Sequence, residues 1–408
     1  MTARVAVTGM GSVSGLGAGA VHTWSEVLAG RSGIRTLARA YGDEPAWRYA
    51  GPASYIDHVD TSAIEARFGL RPLAQLDPLS TFTLVATFEA LSDAGLLDDP
   101  VLAERTAVLY GCGSGGNFTQ DEGFARLYAR RQTGVHPLTI PKSMISAPAS
   151  QISMVFGVRG PAFVLASACA SSAHAIGEAM HMIRSGRVEV AITGGAEACL
   201  TLGSWMGWVA LKAMAPDACR PFSIDRKGMV LGEGAVTLVL ENWDRAKARG
   251  ATIYGELTGY GATADAAHIT APDGLGAERA IRLAHADAGL PLDQPVLVSS
   301  HGTGTPLNDK AETAALRAVY GEGLARNLII ATKPAHGHLI GGSGAMELML
   351  GLLALRDGRA PPVLNHLGVD PECDVPLALE ATQIDCETLV SSSFAFGGLN
   401  AVLTARRA

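Results

Sequence analysis

Short β-rich runs alternate with longer amphipathic stretches along all 408 residues of this chain, and no other feature limits its fold as strongly. Strand patterns occur at 5–8, 107–110, 188–193, 236–240, 296–299, 328–331 and 388–390, while 82–94 and 278–288 carry helical periodicity. Strands separated by helices pack as buried sheets with helices on their faces, so the pattern predicts an α/β fold. With 48% hydrophobic residues the chain can fill a large core, and its length predicts more than one domain. A strand opening into a glycine-rich turn at 4–17 has an echo at 253–263. That echo predicts two related halves, 1–250 and 251–408.

Composition excludes several classes of function. No apolar run reaches the roughly 18 residues of a membrane span, and the N-terminus enters a strand pattern without the layout of a secretory signal. A net charge of −7 argues against a nucleic-acid partner. The six cysteines, at 112, 169, 199, 219, 373 and 386, form no C-x-x-C pair. They predict neither a metal site nor a disulfide framework and fit a cytoplasmic, reducing location.

One cysteine stands in special company. In Val164-Leu-Ala-Ser-Ala-Cys169-Ala-Ser-Ser-Ala-His174 small residues flank the thiol, and Ile176, Met180 and Ile183 then share one helical face. Cys169 is therefore expected at the N-terminus of a buried helix, where the helix dipole and free N–H groups favour a nucleophilic thiolate. Taken alone, the segment reads sooner as a buried free cysteine acting as a small hydrophobe, and only the company it keeps turns the reading.

Three further strand ends add chemistry. Ser300-His301-Gly-Thr303-Gly-Thr305 follows one strand pattern, and Lys333-Pro-Ala-His336-Gly-His338 follows another, nine residues before Glu347. A glycine-rich segment, Ser393-Phe394-Ala395-Phe396-Gly397-Gly398-Leu399-Asn400, is read as a loop after the strand at 388–390. Its glycines could bring backbone N–H groups to a substrate oxygen. Ligands in α/β folds bind beyond the carboxyl ends of strands, so four such sites predict one cleft. The Gly111-x-Gly-x-x-Gly116 segment formally matches a dinucleotide fingerprint, but Arg130 and Arg131 stand where the acidic ribose partner belongs.

Together these motifs resemble the elongating β-ketoacyl-acyl carrier protein synthases of fatty acid and polyketide synthesis, members of the thiolase-fold superfamily. The similarity runs from Val5-Ala-Val-Thr-Gly to Gly397-Gly-Leu-Asn400. It implies two βαβαβαββ halves in five αβαβα layers, paired as a homodimer, with a heterodimer with a ketosynthase-like subunit as the alternative. By this resemblance Cys169 is the nucleophile, His301 and His338 the catalytic histidines, Lys333 the lysine that holds His338, and Glu347 its counter-charge. The backbone N–H groups of Cys169 and Phe396 form the oxyanion hole in a gating loop that includes Ala395 and Gly397. Thr303 and Thr305 meet the phosphopantetheine arm, which arrives on an acyl carrier protein, so no separate cofactor and no metal are implied. A thiolase would carry a second reactive cysteine in the C-terminal loop, and a chain-length subunit would lack the nucleophile.

The chain departs from the family pattern at several points. Ser392, Ala395 and Leu399 replace the usual Asn, Gly and Thr of the gating loop, and Lys227 replaces an Asp. Ser114 stands where relatives carry an aliphatic residue, which predicts a roomier acyl tunnel, with Trp205 and Trp208 as further lining or as ordinary core. Arg67, Arg71, Arg130, Arg131 and Arg220 are the candidates for docking an acidic carrier.

Overall fold

The computed structural model describes residues 3–40, 48–69 and 75–408. Ten strands form the body of one sheet: β1 (Val5–Ser14), β2 (Thr106–Gly111), β3 (Ala162–Leu165), β4 (Val190–Glu197), β5 (Gly234–Asn242), β6 (Gly255–Ala264), β7 (Leu297–Ser299), β8 (Leu328–Ile330), β9 (Thr388–Ala395) and β10 (Leu399–Arg406). Seven helices matter to the site: α1 (Pro78–Asp93), α2 (Ala147–Phe156), α3 (Ser171–Arg184), α4 (Leu202–Ala210), α5 (Gly274–Ala288), α6 (Pro306–Tyr320) and α7 (Ser343–Asp357).

The strand order is β8-β7-β9-β10-β6-β1-β5-β4-β2-β3. Read outward from the centre, each half gives two antiparallel pairings and then two parallel ones. The halves therefore repeat one topology about the β1–β6 seam, where only Val5–Val7 pairs with Gly255–Leu257. The echo read at 4–17 and 253–263 falls on these two seam strands.

Helices cover both faces. The outer layer of the first half includes α1, packed on β1 and β5, with α2 beside it; α5 packs on β6 and β10, with α6 beside it. Between the halves lie α3 and α7, which touch each other and strands of both halves. Strands covered on both sides bury every residue, as β1, β4 and β9 do, and so read as near-continuous apolar runs without alternation. At Gly344 an added Cβ would stand 2.8 Å from Ser393 Oγ and 3.0 Å from Ala173 Cβ, so a larger residue would separate the two central helices.

Two sequence expectations shift. The strand read at 388–390 continues to Ala395 because Ser391, Ser392 and Ser393 pair across to β10, so the expected loop shrinks to a turn at Phe396–Gly398. Gly397 and Gly398 take φ of 83° and 69°, which only glycine adopts freely, whereas Ala395 is an ordinary strand residue. The strand read at 188–193 begins at Val190.

Candidate active site

The pseudo-symmetry puts chemistry at matching positions of the two halves. Cys169 follows β3 and enters α3; Lys333 and His338 follow β8 and enter α7. His301 leaves the neighbouring parallel strand β7. Because α3 and α7 lie side by side, the two strand-to-helix junctions face one another.

Cys169 sits in a single 3-10 turn, Ala168–Ala170, directly ahead of α3. The preceding Ala168 holds φ of 49°, a left-handed conformation that costs a non-glycine residue of order 1–2 kcal/mol. Ser171 clamps the turn, its Oγ donating to Ala168 O at 2.6 Å and accepting from Ser167 N at 2.9 Å. The strained turn aims the thiol at the opposite half. Cys169 Sγ lies 3.1 Å from Nε2 of His338, and Sγ and a ring nitrogen of each of His301 and His338 all fall within 4.8 Å of one another. The imidazoles meet edge to face with centroids 5.5 Å apart.

The thiol differs from the sequence expectation of a resting thiolate. Burial pushes its pKa up to about 12, against the lowering effects of the Lys333 cation and the Phe396 N–H. The helix N-terminus does not outweigh the loss of water, so the resting group is a thiol that must give up its proton to react. Phe396 lines the same cleft as Cys169, and its N–H is among the groups that favour the thiolate, so the turn after β9 lies beside this sulfur.

Burial first, and then the Lys333 cation, hold both His301 and His338 neutral, well below the usual imidazole range. Lys333 is almost wholly buried and pairs with the Glu347 carboxylate and the His301 carbonyl. Its Nζ also stands 3.4 Å from His301 Nδ1. An ammonium can only donate, so Nδ1 of His301 is the acceptor and its proton sits on Nε2. Lys333 thus holds His301, whereas the sequence reading had it holding His338. His338 is held by Ser343 at the start of α7, with Oγ 2.7 Å from Nδ1. A hydroxyl both donates and accepts, so His338 can present either a lone pair or an N–H at Nε2.

Two further carboxylates build the His301 loop. Glu312 of α6 accepts from His301 N at 2.7 Å and Gly302 N at 2.9 Å, and Asp309 accepts from Gly304 N at 3.2 Å and Phe222 N at 2.8 Å. Ser343 and Glu312 were missed as site residues. Glu312 had a signal, since it shares an apolar helix face with Leu316 and Val319 and an acid there needs a partner.

A cleft of about 330 Å³ opens over the three side chains. Thr303 and Thr305 line it and share a 2.9 Å hydrogen bond between hydroxyls; Ala395, Phe396 and Gly397 line the facing wall. Residues 268–272 and Lys212 complete the mouth, and Gly397 N donates to Ile269 O at 2.8 Å. Trp208 of α4 is half-buried, with its ring 6.0 Å from that of Phe396, behind the turn. Trp205 packs on Tyr49 at 5.3 Å as core. Ser114 does not reach the cleft: it is exposed in the single chain and its Oγ donates to the buried Glu197 at 2.5 Å.

The docking candidates are dispersed. Arg67 pairs with Asp98, Arg130 with Glu122 and Arg220 with Asp217; Arg131 is exposed, and Arg71 lies outside the described residues. Lys212, which the sequence reading passed over, is the exposed lysine on the cleft rim. Lys227 is exposed too, and its charge is felt at Asp217.

Comparison with known proteins matches residues 2–246 to the model for the beta-ketoacyl synthase N-terminal domain and residues 254–366 to that for the C-terminal domain. Nodulation protein E of Rhizobium meliloti (strain 1021) is 38% identical over 99% of both chains. The 3-oxoacyl-[acyl-carrier-protein] synthase 2 of Staphylococcus aureus (strain COL) is 35% identical over 99% of this chain and 98% of its own. Among solved structures, the ishigamide ketosynthase/chain length factor superposes with a TM-score of 0.92 at 32% identity, covering all of both chains. A beta-ketoacyl synthase from Burkholderia phymatum STM815 gives 0.89 at 33%, again over all of both chains.

Proposed function

The chain belongs to the β-ketoacyl synthase family, and from that premise we propose that its cleft performs a decarboxylative Claisen condensation on acyl carrier protein thioesters with Cys169 as nucleophile. The observation that carries the assignment is the 3.1 Å contact from Cys169 Sγ to His338 Nε2 with His301 in the same triangle.

In the first half-reaction His338 takes the thiol proton, the sulfur attacks the acyl thioester carbonyl, and the carrier's pantetheine thiol leaves with that proton. The N–H groups of Cys169 and Phe396 receive the tetrahedral oxyanion, each such donor being worth roughly 3–4 kcal/mol. In the second, a malonyl thioester loses carbon dioxide and its electron pair becomes an enolate. The His301 Nε2–H, fixed by Lys333, and the Nε2–H tautomer of His338 donate to the enolate oxygen. A neutral donor suits this role, because it stabilises developing charge without surrendering its proton. The enolate carbon then attacks the acyl carbonyl and expels Cys169 as a thiolate, which takes one proton from solvent to return to the resting thiol, giving a β-ketoacyl chain two carbons longer. The organic group the reaction needs is the carrier's phosphopantetheine arm, and Thr303 and Thr305 line its route.

The acyl carrier protein is the partner, with Lys212 on the rim to meet an acidic surface. A homodimer is favoured by the edge strand β3, where Phe163 is 42% exposed. Exposed edges of this kind are usually covered or paired. The full Cys169, His301 and His338 set gives this chain the catalytic side of any heterodimer with a ketosynthase-like subunit. We place it in a fatty acid-like, polyketide or polyene pathway and, from its unpaired cysteines, in the cytoplasm. Among the described residues no helix is long and apolar enough to cross a membrane.

Intact-protein mass spectrometry with acyl-carrier thioesters of graded length tests the assignment. Wild type gains one acyl group per subunit and Cys169→Ala gains none; an adduct on both sinks it.

A further inference from the structure

Glu197 closes β4 and has no solvent exposure. Its carboxylate accepts five hydrogen bonds: from Gly113 N at 2.8 Å, Ser114 N at 3.1 Å, Ser114 Oγ at 2.5 Å, Gly341 N at 3.0 Å and, more weakly, the Cys112 thiol at 3.9 Å. The donors come from two segments. One is the glycine-rich turn that leaves β2; the other is the short Ile340–Gly342 turn between His338 and Ser343. Asn117 Nδ2 in turn donates to Ser114 Oγ at 3.1 Å, which leaves the hydroxyl hydrogen directed at Glu197. Three backbone N–H groups and one hydroxyl make a solvation shell for an anion, and they oppose the upward push of burial on this carboxyl.

The turn that Glu197 holds is strained and close-packed. Ile340 has φ of 40°, and a Cβ on Gly341 would stand 2.5 Å from Gly113 N. His338 and Ser343 flank this turn, so its position sets the 2.7 Å contact that orients the His338 ring against Cys169. We propose that Glu197, completed by Ser114, is a positioning residue for His338: it ties the His338–Ser343 turn to the first half of the chain and so fixes the imidazole that faces the thiol. This gives Ser114 a use the sequence reading did not: its hydroxyl is spent on Glu197. The inference rests on the condensing reaction proposed above.

The test is Glu197→Gln, whose amide sets an N–H against backbone donors. Turnover in malonyl-carrier decarboxylation should fall roughly tenfold or more with KM unchanged, as for loss of charged hydrogen bonds at a reacting group. In protein carrying 15N-histidine, the ring signals of His338 should move while those of His301 stay. Folded Glu197→Gln with wild-type turnover and unmoved His338 signals overturns the proposal, as does a change confined to KM. Should that variant not fold, Ser114→Ala removes one donor and should lose turnover several-fold, with Ser114→Thr restoring it. Ser114→Ala at wild-type turnover overturns it equally. The nitrogen signals need no substrate, so a wild type inactive on carrier thioesters would sink the reaction assignment while leaving this positioning role to be decided by the spectra.

Discussion

Lys333 Nζ stands 3.4 Å from Nδ1 of His301 while pairing with the buried Glu347, so one cation fixes a tautomer and balances a charge. Lys333→Met keeps the stem and removes both functions. Decarboxylation should fall about a hundredfold, because Nε2–H of His301 is no longer enforced. Glu347 loses its ion partner, and its other oxygen already lacks a donor among the described residues. Losing one partner of a buried pair costs about 3–5 kcal/mol. Burial already lifts Glu347 to about 7, and without the cation it rises further. A carboxyl raised in the folded state stabilises most at low pH and loses that contribution as pH climbs through its folded value. The melting-temperature deficit of the variant should therefore be smaller near pH 6 than near pH 8. Lys333→Met/Glu347→Leu should recover stability without activity; recovery of both would refute the tautomer role.

Ser343 is the partner of His338 across 2.7 Å. Ser343→Ala leaves a buried Nδ1 without a partner and the ring free to turn, so acyl loading onto Cys169 should slow roughly tenfold. Ser343→Thr should retain most of the rate. Rapid-quench loading followed by mass spectrometry measures this, and unchanged loading in the alanine variant excludes Ser343 from the proton path.

The reactivity of Cys169 should follow its burial. With a thiol lifted to about 12, alkylation by iodoacetamide should climb about tenfold per pH unit beyond pH 9 without levelling. Lys333→Met should be slower throughout, since the cation lowers the thiol pKa. A plateau near neutral pH would restore the thiolate that the sequence alone implied.

That contrast marks how much was legible in the chain. Cys169, His301, Lys333 and His338 could be found because each follows a strand and sits among glycines and small residues, a local pattern. The two-half topology was legible in the resemblance and in the matching starts of β1 and β6. Local pattern could not give the protonation of Cys169, which depends on how much water the opposite half removes. Nor could it assign Lys333 to His301: the two are 32 residues apart, and only the parallel pairing of β7 with β8 makes them neighbours. Ser343 and Glu197 stayed hidden for the same reason, a serine beginning a helix and an acid ending a strand being ordinary until their partners are seen. The glycine-rich segment at 393–400 was over-read as loop because three serines have no strong strand preference, and pairing with β10 overrides it.

The exposed edge gives a prediction about assembly. β3 pairs only with β2 among the described strands and presents Phe163 outward. Val164→Pro removes an edge donor, and Phe163→Lys puts a charge on the edge; either should turn a dimer into a monomer. Light scattering after size exclusion reads the mass directly, and an unchanged dimer with both variants would place the interface elsewhere.

Lys212 tests how the carrier arrives. It lies exposed on the cleft rim, whereas Arg67, Arg130 and Arg220 already have carboxylate partners. Exposed pairs contribute about 0–1 kcal/mol, and an arginine already engaged gives little to a newcomer. Lys212→Glu should therefore weaken loading from carrier-bound acyl groups several-fold, with the loss in KM and greater at low salt. Loading from a small acyl thioester without the carrier should be unaffected, because it meets only the cleft. An equal loss with both donors would mean that Lys212 shapes the cleft mouth and does not greet the carrier. Charge reversal at both Arg130 and Arg131 should do less than Lys212→Glu, since Arg130 is already paired and the two lie away from the residues that line the mouth.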